Sequence, residues 1–240
     1  MARRSQQERS DASVAAILAA GLELFSTQGF RATSLREIAE RAGLSVGNIY
    51  HHFSSKDEIY QRLIDRYWER LVDPELRLNK IFQAARFPDD LEQMAEAIEE
   101  LVADNAAHIL LIYVDVIEFR GQHIRTFYEG MADRFARSYG PGFERRVAAG
   151  EFGDVDPMTA VMVATRWFFY YFTVERCFGV GMHLGMTPRQ ATEEFIRLLR
   201  NGLLPRGELG GAPIGSTKAL ESAAEAALVA TPSPERGEEA

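Results

Sequence analysis

The sequence predicts an all-α protein of about nine or ten helices, with a small N-terminal helical domain and a larger C-terminal one. Apolar residues recur at helical spacing from residue 11 to about residue 204, and no run shows the two-residue alternation of a half-buried strand. Clusters of Gly, Pro and Asp separate these segments, and a break is expected near Gly140-Pro141-Gly142. The 240 residues are 46% apolar and 26% charged, as is typical of folded globular proteins.

The first three helices are short and closely spaced. The first carries an apolar stripe from Val14 to Phe25 and ends at Gly29. Ser34 and Glu37 predict a capping box, in which each side chain bonds a backbone N–H at the start of the second helix. Gly43 stops that helix after about two turns, and Ser45 caps the third. Two short helices joined by a tight glycine-containing turn predict a helix-turn-helix.

The third helix is expected to have one buried and one free side. Ile49 and Phe53, four residues apart, would pack it against the first two helices. Asparagine suits an adenine edge, valine suits a thymine methyl, and glycine allows close approach of the backbone. The free side is therefore predicted to enter a DNA groove, with Val46, Gly47, Asn48, His51 and His52.

The fourth helix begins with a second predicted capping box. Ser55 and Glu58 have the required spacing, and Lys56 stands between them. A helix N-terminus and a lysine side chain both suit an anionic phosphate oxygen. The start of this helix is therefore a candidate phosphate contact.

Residues 14–60 resemble the DNA-binding domain of the TetR/AcrR family of regulators. The resemblance rests on Phe25, Gly29, Thr33-Ser34, Ile38-Ala39, Ala42-Gly43-Leu44-Ser45, Gly47, Ile49-Tyr50-His51-His52-Phe53 and Ser55-Lys56. It implies that Thr33 and Ser34 touch the DNA backbone, and that phosphates are held by Tyr50, His52 and Lys56. It also implies that base edges are approached by Val46, Gly47, Asn48 and His51, next to the capping Ser45. The family often has a polar or basic residue in place of Val46 and an aromatic one in place of His52, so the base preference stays open.

Other interpretations of these residues remain. Tyr50 is alternatively a core aromatic with its hydroxyl at the surface. His51 and His52 raise the question of a metal site, but adjacent helical residues point about 100° apart and no carboxylate or thiol stands four residues on, so no metal is expected. The basic residues near the N-terminus are either a solubilising leader or an arm that enters the minor groove, namely Arg3, Arg4 and Arg9.

The resemblance implies that the remaining helices bind an effector and form a dimer. Two late helices open at Asp156-Pro157 and Thr187-Pro188, each with an N-cap followed by proline. In the family such a pair forms a four-helix interface with a second subunit, whereas an intrachain core is the alternative. The predicted interface residues are Val161, Thr165, Phe168, Phe172, Phe195, Leu198 and Leu199.

By the same resemblance, aromatic and apolar residues of this domain line a cavity for a small, partly apolar molecule. The candidates are Met94, His108, Tyr113, Ile117, Phe127, Met131, Trp167 and Tyr171. Membership of an ordinary core is the alternative for each of them. Effector binding is expected to release the DNA, while corepression and activation stay open.

Charge and composition limit the remaining functions. Residues 1–56 carry seven basic and five acidic side chains, so this segment is +2 within a chain of net charge −8. No secretory signal and no apolar stretch of roughly 20 residues is seen, which predicts a cytoplasmic protein without a membrane partner. No catalytic or cofactor motif organises the acidic residues and histidines, so neither an enzyme nor a cofactor is expected. A helical protein-interaction module is the remaining alternative.

These inferences divide the chain into four expected parts. Residues 1–10 form a flexible basic arm and residues 11–58 the DNA-binding domain. Residues 59–204 form the effector-binding and dimerisation domain. Residues 205–240 are rich in Gly, Ala, Pro, Ser and Glu, and are expected to be a flexible tail because they lack large apolar side chains. The predicted partners are double-stranded operator DNA with palindromic symmetry, a small-molecule effector and a second copy of the chain.

Overall fold

The computed structural model describes residues 6–203, and this part of the chain is all α, without a strand. The helices are α1 (Gln6–Gln28), α2 (Leu35–Ala42), α3 (Val46–His52), α4 (Lys56–Leu71), α5 (Arg77–Ala84), α6 (Leu91–Asp104), α7 (Ala106–Phe119), α8 (Arg125–Glu129), α9 (Met131–Ala148), α10 (Pro157–Phe172) and α11 (Pro188–Leu203). A π-helical turn, Thr173–Cys177, extends α10. Among these helices none is long and apolar enough to cross a membrane. The predicted fold class is confirmed.

Two hydrophobic clusters form the interior. The smaller one joins α1 to α4 around Phe25, Ile38, Ile49 and Tyr60, and it also includes Leu111 of α7. The larger one is built from α4 to α7 and α9 to α11. Helix α7 therefore contributes to both clusters.

Local capping explains where several helices begin. The Ser34 hydroxyl accepts from the Glu37 N–H at 3.2 Å, while the Glu37 carboxylate accepts from the Ser34 N–H at 2.7 Å. Asp156 caps α10 by accepting the N–H groups of Met158 and Thr159. These bonds satisfy backbone donors that a helix leaves free at its first turn.

Two boundaries differ from the expectations. Helix α1 begins at Gln6, so residues 6–10 of the predicted arm are helical, while residues 1–5 and the predicted tail lie outside the described residues. The expected break near Gly140-Pro141-Gly142 is wrong, because α9 continues through Pro141. The buried rings of Tyr139 and Phe143 stack at 5.0 Å on one side of α9 and hold it to the core, while Pro141 is exposed on the other side. This packing offsets the hydrogen bond that proline cannot donate.

Candidate nucleic-acid interface and effector cavity

The turn between α2 and α3 has the geometry of a helix-turn-helix. Gly43 adopts a left-handed conformation, with φ 68° and ψ 30°, and its N–H donates to the Glu40 carbonyl at 3.1 Å. The Leu44 N–H donates to the Ala39 carbonyl at 2.9 Å, which closes the end of α2. The Ser45 hydroxyl then accepts from the Asn48 N–H at 3.1 Å and starts α3. Both caps match the prediction.

The two sides of α3 are clearly different. Ile49 is fully buried and Phe53, just after the helix, is almost fully buried, so they fix α3 to α1 and α2. Gly47 and His51 are exposed, and Tyr50 has 58% of its surface exposed. Tyr50 is therefore not a core residue, and the outer side of α3 is open to a partner.

The remaining residues on this side are half-buried, namely Val46, Asn48 and His52. The His51 and His52 rings meet edge to face, with centroids 4.9 Å apart. The Asn48 Oδ1 is buried and has no hydrogen-bond partner among the described residues. A two-bond contact with adenine therefore requires the Asn48 amide to turn outward.

Two of the residues predicted to contact the DNA backbone, Thr33 and Lys56, make bonds within the chain. Thr33 is only 2% exposed, and its hydroxyl donates to the Gly29 carbonyl at 2.8 Å. The Lys56 ammonium donates to the carbonyls of Phe30 and Thr33, at 2.6 and 2.5 Å, and lies 4.2 Å from the centre of the Phe30 ring. Both side chains thus hold the turn between α1 and α2, and this structure does not aim either of them at solvent. Contact of Thr33 and Lys56 with DNA, expected from the family pattern, stays a prediction.

The surface beside α3 still offers donors for phosphate. Ser34 is exposed at the start of α2, where its hydroxyl and its N–H both donate to the Glu37 carboxylate at 2.7 Å. Arg36 is exposed too, without an ion-pair partner in the described part of the chain. The start of α4 differs slightly from the predicted box. Ser55 caps the Glu58 N–H as expected, but the Glu58 carboxylate accepts from the Ser54 N–H at 2.7 Å. The first turns of α2 and α4 each keep backbone N–H groups that have no partner within their helix.

The C-terminal end of α7 is bonded to the turn after α1. The Glu118 carboxylate accepts from the Phe30 N–H at 3.0 Å and from the Arg31 N–H at 2.7 Å. Gly29, the residue before Phe30, has φ +88°, and a Cβ atom at this position would lie 2.6 Å from Glu118 Oε1. The backbone conformation at position 29 therefore favours glycine, and a larger residue would push the Glu118 carboxylate aside.

A second contact joins α7 to α4. The buried Tyr60 hydroxyl donates to the Leu111 carbonyl at 2.7 Å, and the Phe119 ring stacks on Tyr60 with centroids 4.8 Å apart. Burial raises the pKa of Tyr60 far above its usual value, so the hydroxyl remains a donor. Sequence reasoning missed this connection, because nothing local marks Leu111 or Glu118 as a partner of the N-terminal helices.

A cavity of about 570 Å³ lies among α4, α5 and α7 to α10. Its walls are mainly aromatic and apolar, with Trp68, Phe82, Tyr113, Phe127, Met131 and Phe169 among the lining residues. Trp68 and Phe127 stack with centroids 4.1 Å apart. This size and lining are typical of small-molecule sites.

Three of the predicted effector residues line the cavity, namely Tyr113, Phe127 and Met131. The other five do not, and each has another position in the fold. Met94 and Tyr171 are buried in the core, and Ile117 is 79% exposed on the outer side of α7. His108 stacks on Tyr67 at 5.4 Å. Trp167 stacks on Phe195 at 3.9 Å.

The predicted dimer residues also separate. Val161, Phe168 and Phe172 are buried within the single chain, which is the intrachain alternative, and Thr165 lines the cavity. Phe195 and Leu199 are half-buried, and Leu198 is 70% exposed. The apolar surface of this helix pair consists of Leu198 together with two residues that were not predicted, Val163 and Tyr170.

Known proteins with similar sequences are bacterial regulators. Residues 17–63, which span α1 to α4, match the family model described as bacterial regulatory proteins, tetR family. An HTH-type transcriptional regulator of Bacillus subtilis, YfiR, is 26% identical over 164 residues, which are 67% of this chain and 78% of the relative. The HTH-type transcriptional repressor KstR2 of Mycobacterium tuberculosis is 33% identical over 78 residues, which are 32% of this chain but only 33% of the repressor.

The fold is similar to that of a solved regulator. The structure of the ketosteroid transcriptional regulator KstR2 of Mycobacterium tuberculosis superimposes with a TM-score of 0.55, covering 80% of this chain and 95% of that one. The identity between the two is 19%, so this likeness concerns the fold.

Proposed function

We propose that this chain, which belongs to the TetR/AcrR family of transcriptional regulators, acts as a dimeric repressor that a small molecule releases from a palindromic operator. The observation that carries the proposal is the open outer side of α3, held from behind by the buried Ile49 and Phe53. An isolated helix-turn-helix chain contacts few base pairs, so a second copy about 34 Å away would read the next major groove. The chain is a DNA-binding regulator rather than an enzyme.

In the proposed complex α3 enters the major groove. Base edges would be approached by Val46, Gly47, Asn48 and His51, and phosphates would be held by Ser34, Tyr50, His52 and the capping Ser45. Tyr50 is the best supported phosphate contact, because its exposed ring extends from the free side of α3. Thr33 and Lys56 would act indirectly, by holding the turn that presents Ser34.

The proposed dimer interface is the outer side of α10 and α11. Val163 and Tyr170 are seven residues apart on α10, so they lie on one side two turns apart. Both are exposed, as is Leu198 of α11, and Tyr170 is also one of the residues that line the cavity. Apolar side chains exposed on adjacent helices are typical of a surface that a partner covers. An isologous contact between two copies would bury them and set the two α3 helices at a fixed distance.

Effector release is proposed to act through α4 and α7. Both helices line the cavity, with Trp68 and Tyr113, and both reach the DNA-binding helices. Glu118 of α7 bonds the turn after α1, and Tyr60 of α4 bonds the Leu111 carbonyl of α7. A ligand that binds more tightly when the two α3 helices are wrongly spaced for DNA would lower operator affinity. By linkage, bound operator would lower the affinity for the ligand by the same factor.

Repression is supported by a partial relative that is named as a repressor. A corepressor or activator of the same fold remains the alternative for the direction of the response, and a protein-interaction module is the alternative to DNA binding. The proposed site of action is the cytoplasm, where DNA and small metabolites are both accessible.

The proposal is tested by selecting bound fragments from randomised duplexes and titrating their binding against salt. We expect a palindromic site and an affinity that falls linearly on a log–log plot against salt. Tyr50→Phe should weaken binding to every duplex, while Tyr128→Phe on α8 serves as the matched control. If the chain selects no duplex, or binds only other proteins in a salt-independent way, the results favour a protein-interaction module.

The dimer interface is tested with two matched valines. Val163 and Val147 are exposed to similar extents, 50% and 52%, and both lie on helices. Val163→Asp should give a monomer in light scattering and lose tight operator binding, whereas Val147→Asp should stay a dimer. If both variants remain dimers, the dimer interface lies on another surface of the chain.

A further inference from the structure

The charged groups around the cavity are all of one sign. Three arginines are among the lining residues, Arg134, Arg137 and Arg166, and no Asp or Glu accompanies them. This contrasts with the whole chain, which has 35 acidic and 27 basic residues. The three arginines form no ion pair with any carboxylate of residues 6–203. The cavity thus has positive charge without a counter-charge from the protein.

Two of these arginines are held in place by rings of the cavity wall. The Arg134 guanidinium lies 4.4 Å from the centre of the Phe127 ring, and its Nη2 donates to the Phe127 carbonyl at 2.6 Å. The Arg166 guanidinium lies 5.3 Å from the centre of the Tyr128 ring. Stacking fixes a planar guanidinium and leaves most of its N–H donors free, which is the arrangement that binds a carboxylate with two hydrogen bonds.

The surroundings of Arg134 lack a counter-ion as well. Burial, and then the charge of Arg137, lowers the pKa of Arg134 below its usual value. A partly buried cation beside a second cation is destabilised unless an anion joins it. No carboxylate of the described residues provides that anion, which leaves the guanidinium of Arg134 available to an anionic ligand.

We propose that the cavity binds an organic carboxylate with an apolar, ring-containing body, whose acid group is held by Arg134 and Arg166. The aromatic side chains of Trp68, Tyr113 and Phe169, which line the cavity, would pack against the flat body of the molecule. The volume of about 570 Å³ fits a molecule of medium size. The inference rests on the proposed function in one respect, because it identifies this ligand as the effector.

A matched pair of fluorescent probes tests the ligand class without DNA. Pyrenebutyrate carries the carboxylate, and pyrenebutanol has the same rings with a neutral hydroxyl. We expect the full-length protein to bind the acid at least tenfold more tightly than the alcohol, because bonds between charged groups are stronger than neutral ones. Equal affinities, or tighter binding of the alcohol, would overturn the assignment to an anion.

Variants locate the acid group. Arg134→Gln and, separately, Arg166→Gln should lower affinity for the acid about tenfold and leave the alcohol unchanged, while Arg145→Gln on the exposed side of α9 should change neither. Met162→Trp, which fills the cavity, should abolish binding of both probes in a protein with unchanged helical circular dichroism. Unaltered preference for the acid in both arginine variants would show that the anion is held elsewhere.

Operator binding separates this inference from the proposed function. If the acid binds through Arg134 but does not change the gel shift, the cavity still binds a carboxylate. In that case the proposal that this ligand releases the DNA is wrong. If the protein selects no DNA at all, the probe measurements still decide the ligand class, because they need no operator.

Discussion

Replacing Gly29 with alanine is expected to break the contact between Glu118 and the turn after α1. Glu118 accepts two backbone N–H groups, from Phe30 and Arg31, and its Oε1 would lie 2.6 Å from the new Cβ atom. Real Cβ atoms essentially never approach another atom so closely. Glu118 Oε1 ends a flexible side chain, so we expect the carboxylate to swing away from the new methyl group and to lose its two donors.

The magnitude follows from the two contributions. Alanine at φ +88° costs about 1 kcal/mol relative to glycine. Loss of two hydrogen bonds to a carboxylate at a partly exposed site costs about 2 kcal/mol. The ion pair between Arg31 and Glu118 adds little, because the Arg31 side chain is 80% exposed and the two charged atoms are 3.8 Å apart. We therefore expect Gly29→Ala to destabilise the protein by about 3 kcal/mol.

A double-mutant cycle checks whether the clash is the cause. Glu118→Ala alone should cost about 2 kcal/mol, and in that variant Gly29→Ala should cost only the additional 1 kcal/mol or so of backbone strain. The free energies come from urea unfolding at one fixed protein concentration, since a dimer's stability depends on concentration. If the two substitutions add to within about 0.5 kcal/mol, the two sites are independent and the reasoning is refuted.

Three further results are expected. Lys56→Met should lower thermal stability and weaken binding to all duplexes, because the bonds from Lys56 to two carbonyls hold the turn that presents Ser34. Asn48→Ala should keep the stability of the wild type and mainly relax base preference in fragment selection. Normal stability of the Lys56 variant would contradict its role in the turn. Tyr60→Phe should cost about 1 kcal/mol in urea unfolding, because the Leu111 carbonyl loses the hydroxyl that bonds it in addition to its helical N–H, and an unchanged midpoint would contradict a stabilising role for this bond. Burial, and then the charge of Arg70, lowers the pKa of His108 below 6.5, so below that pH the unfolded chain takes up a proton that the folded chain does not. The stability of the wild type relative to His108→Gln should therefore fall between pH 7.5 and 5, and a constant difference would exclude this effect.

Local bonds account for what the sequence could predict. The starts of α2, α3 and α10 were predictable, because Ser34, Ser45 and Asp156 bond N–H groups two or three residues away. The roles of Lys56 and Thr33 differ in this respect. Lys56 bonds carbonyls 26 and 23 residues earlier in the chain, a distance at which spacing gives no signal. The family pattern therefore predicts DNA contacts for these two residues, but it gives no sign of the bonds that they make within the chain.

For a similar reason, the sequence could identify only some of the residues that line the cavity. Trp167 and Tyr170 are both aromatic residues of α10, three positions apart, yet Tyr170 lines the cavity and Trp167 stacks on Phe195. Their positions depend on where α9 and α11 pack, which periodicity does not specify. The same packing buries Val161 and leaves Val163 exposed.

The interlocking of α7 with the N-terminal helices limits how this regulator can be recombined. The expected domain boundary after residue 58 falls just inside α4, and Leu111, Glu118 and Phe119 complete the N-terminal core from far along the chain. A chimera that joins residues 1–58 to the ligand-binding half of another regulator would lose these partners and is expected to fold poorly. Grafting only the exposed positions of α3 leaves that core intact. New operator preferences are thus accessible through a few surface substitutions, whereas exchange of whole halves is not.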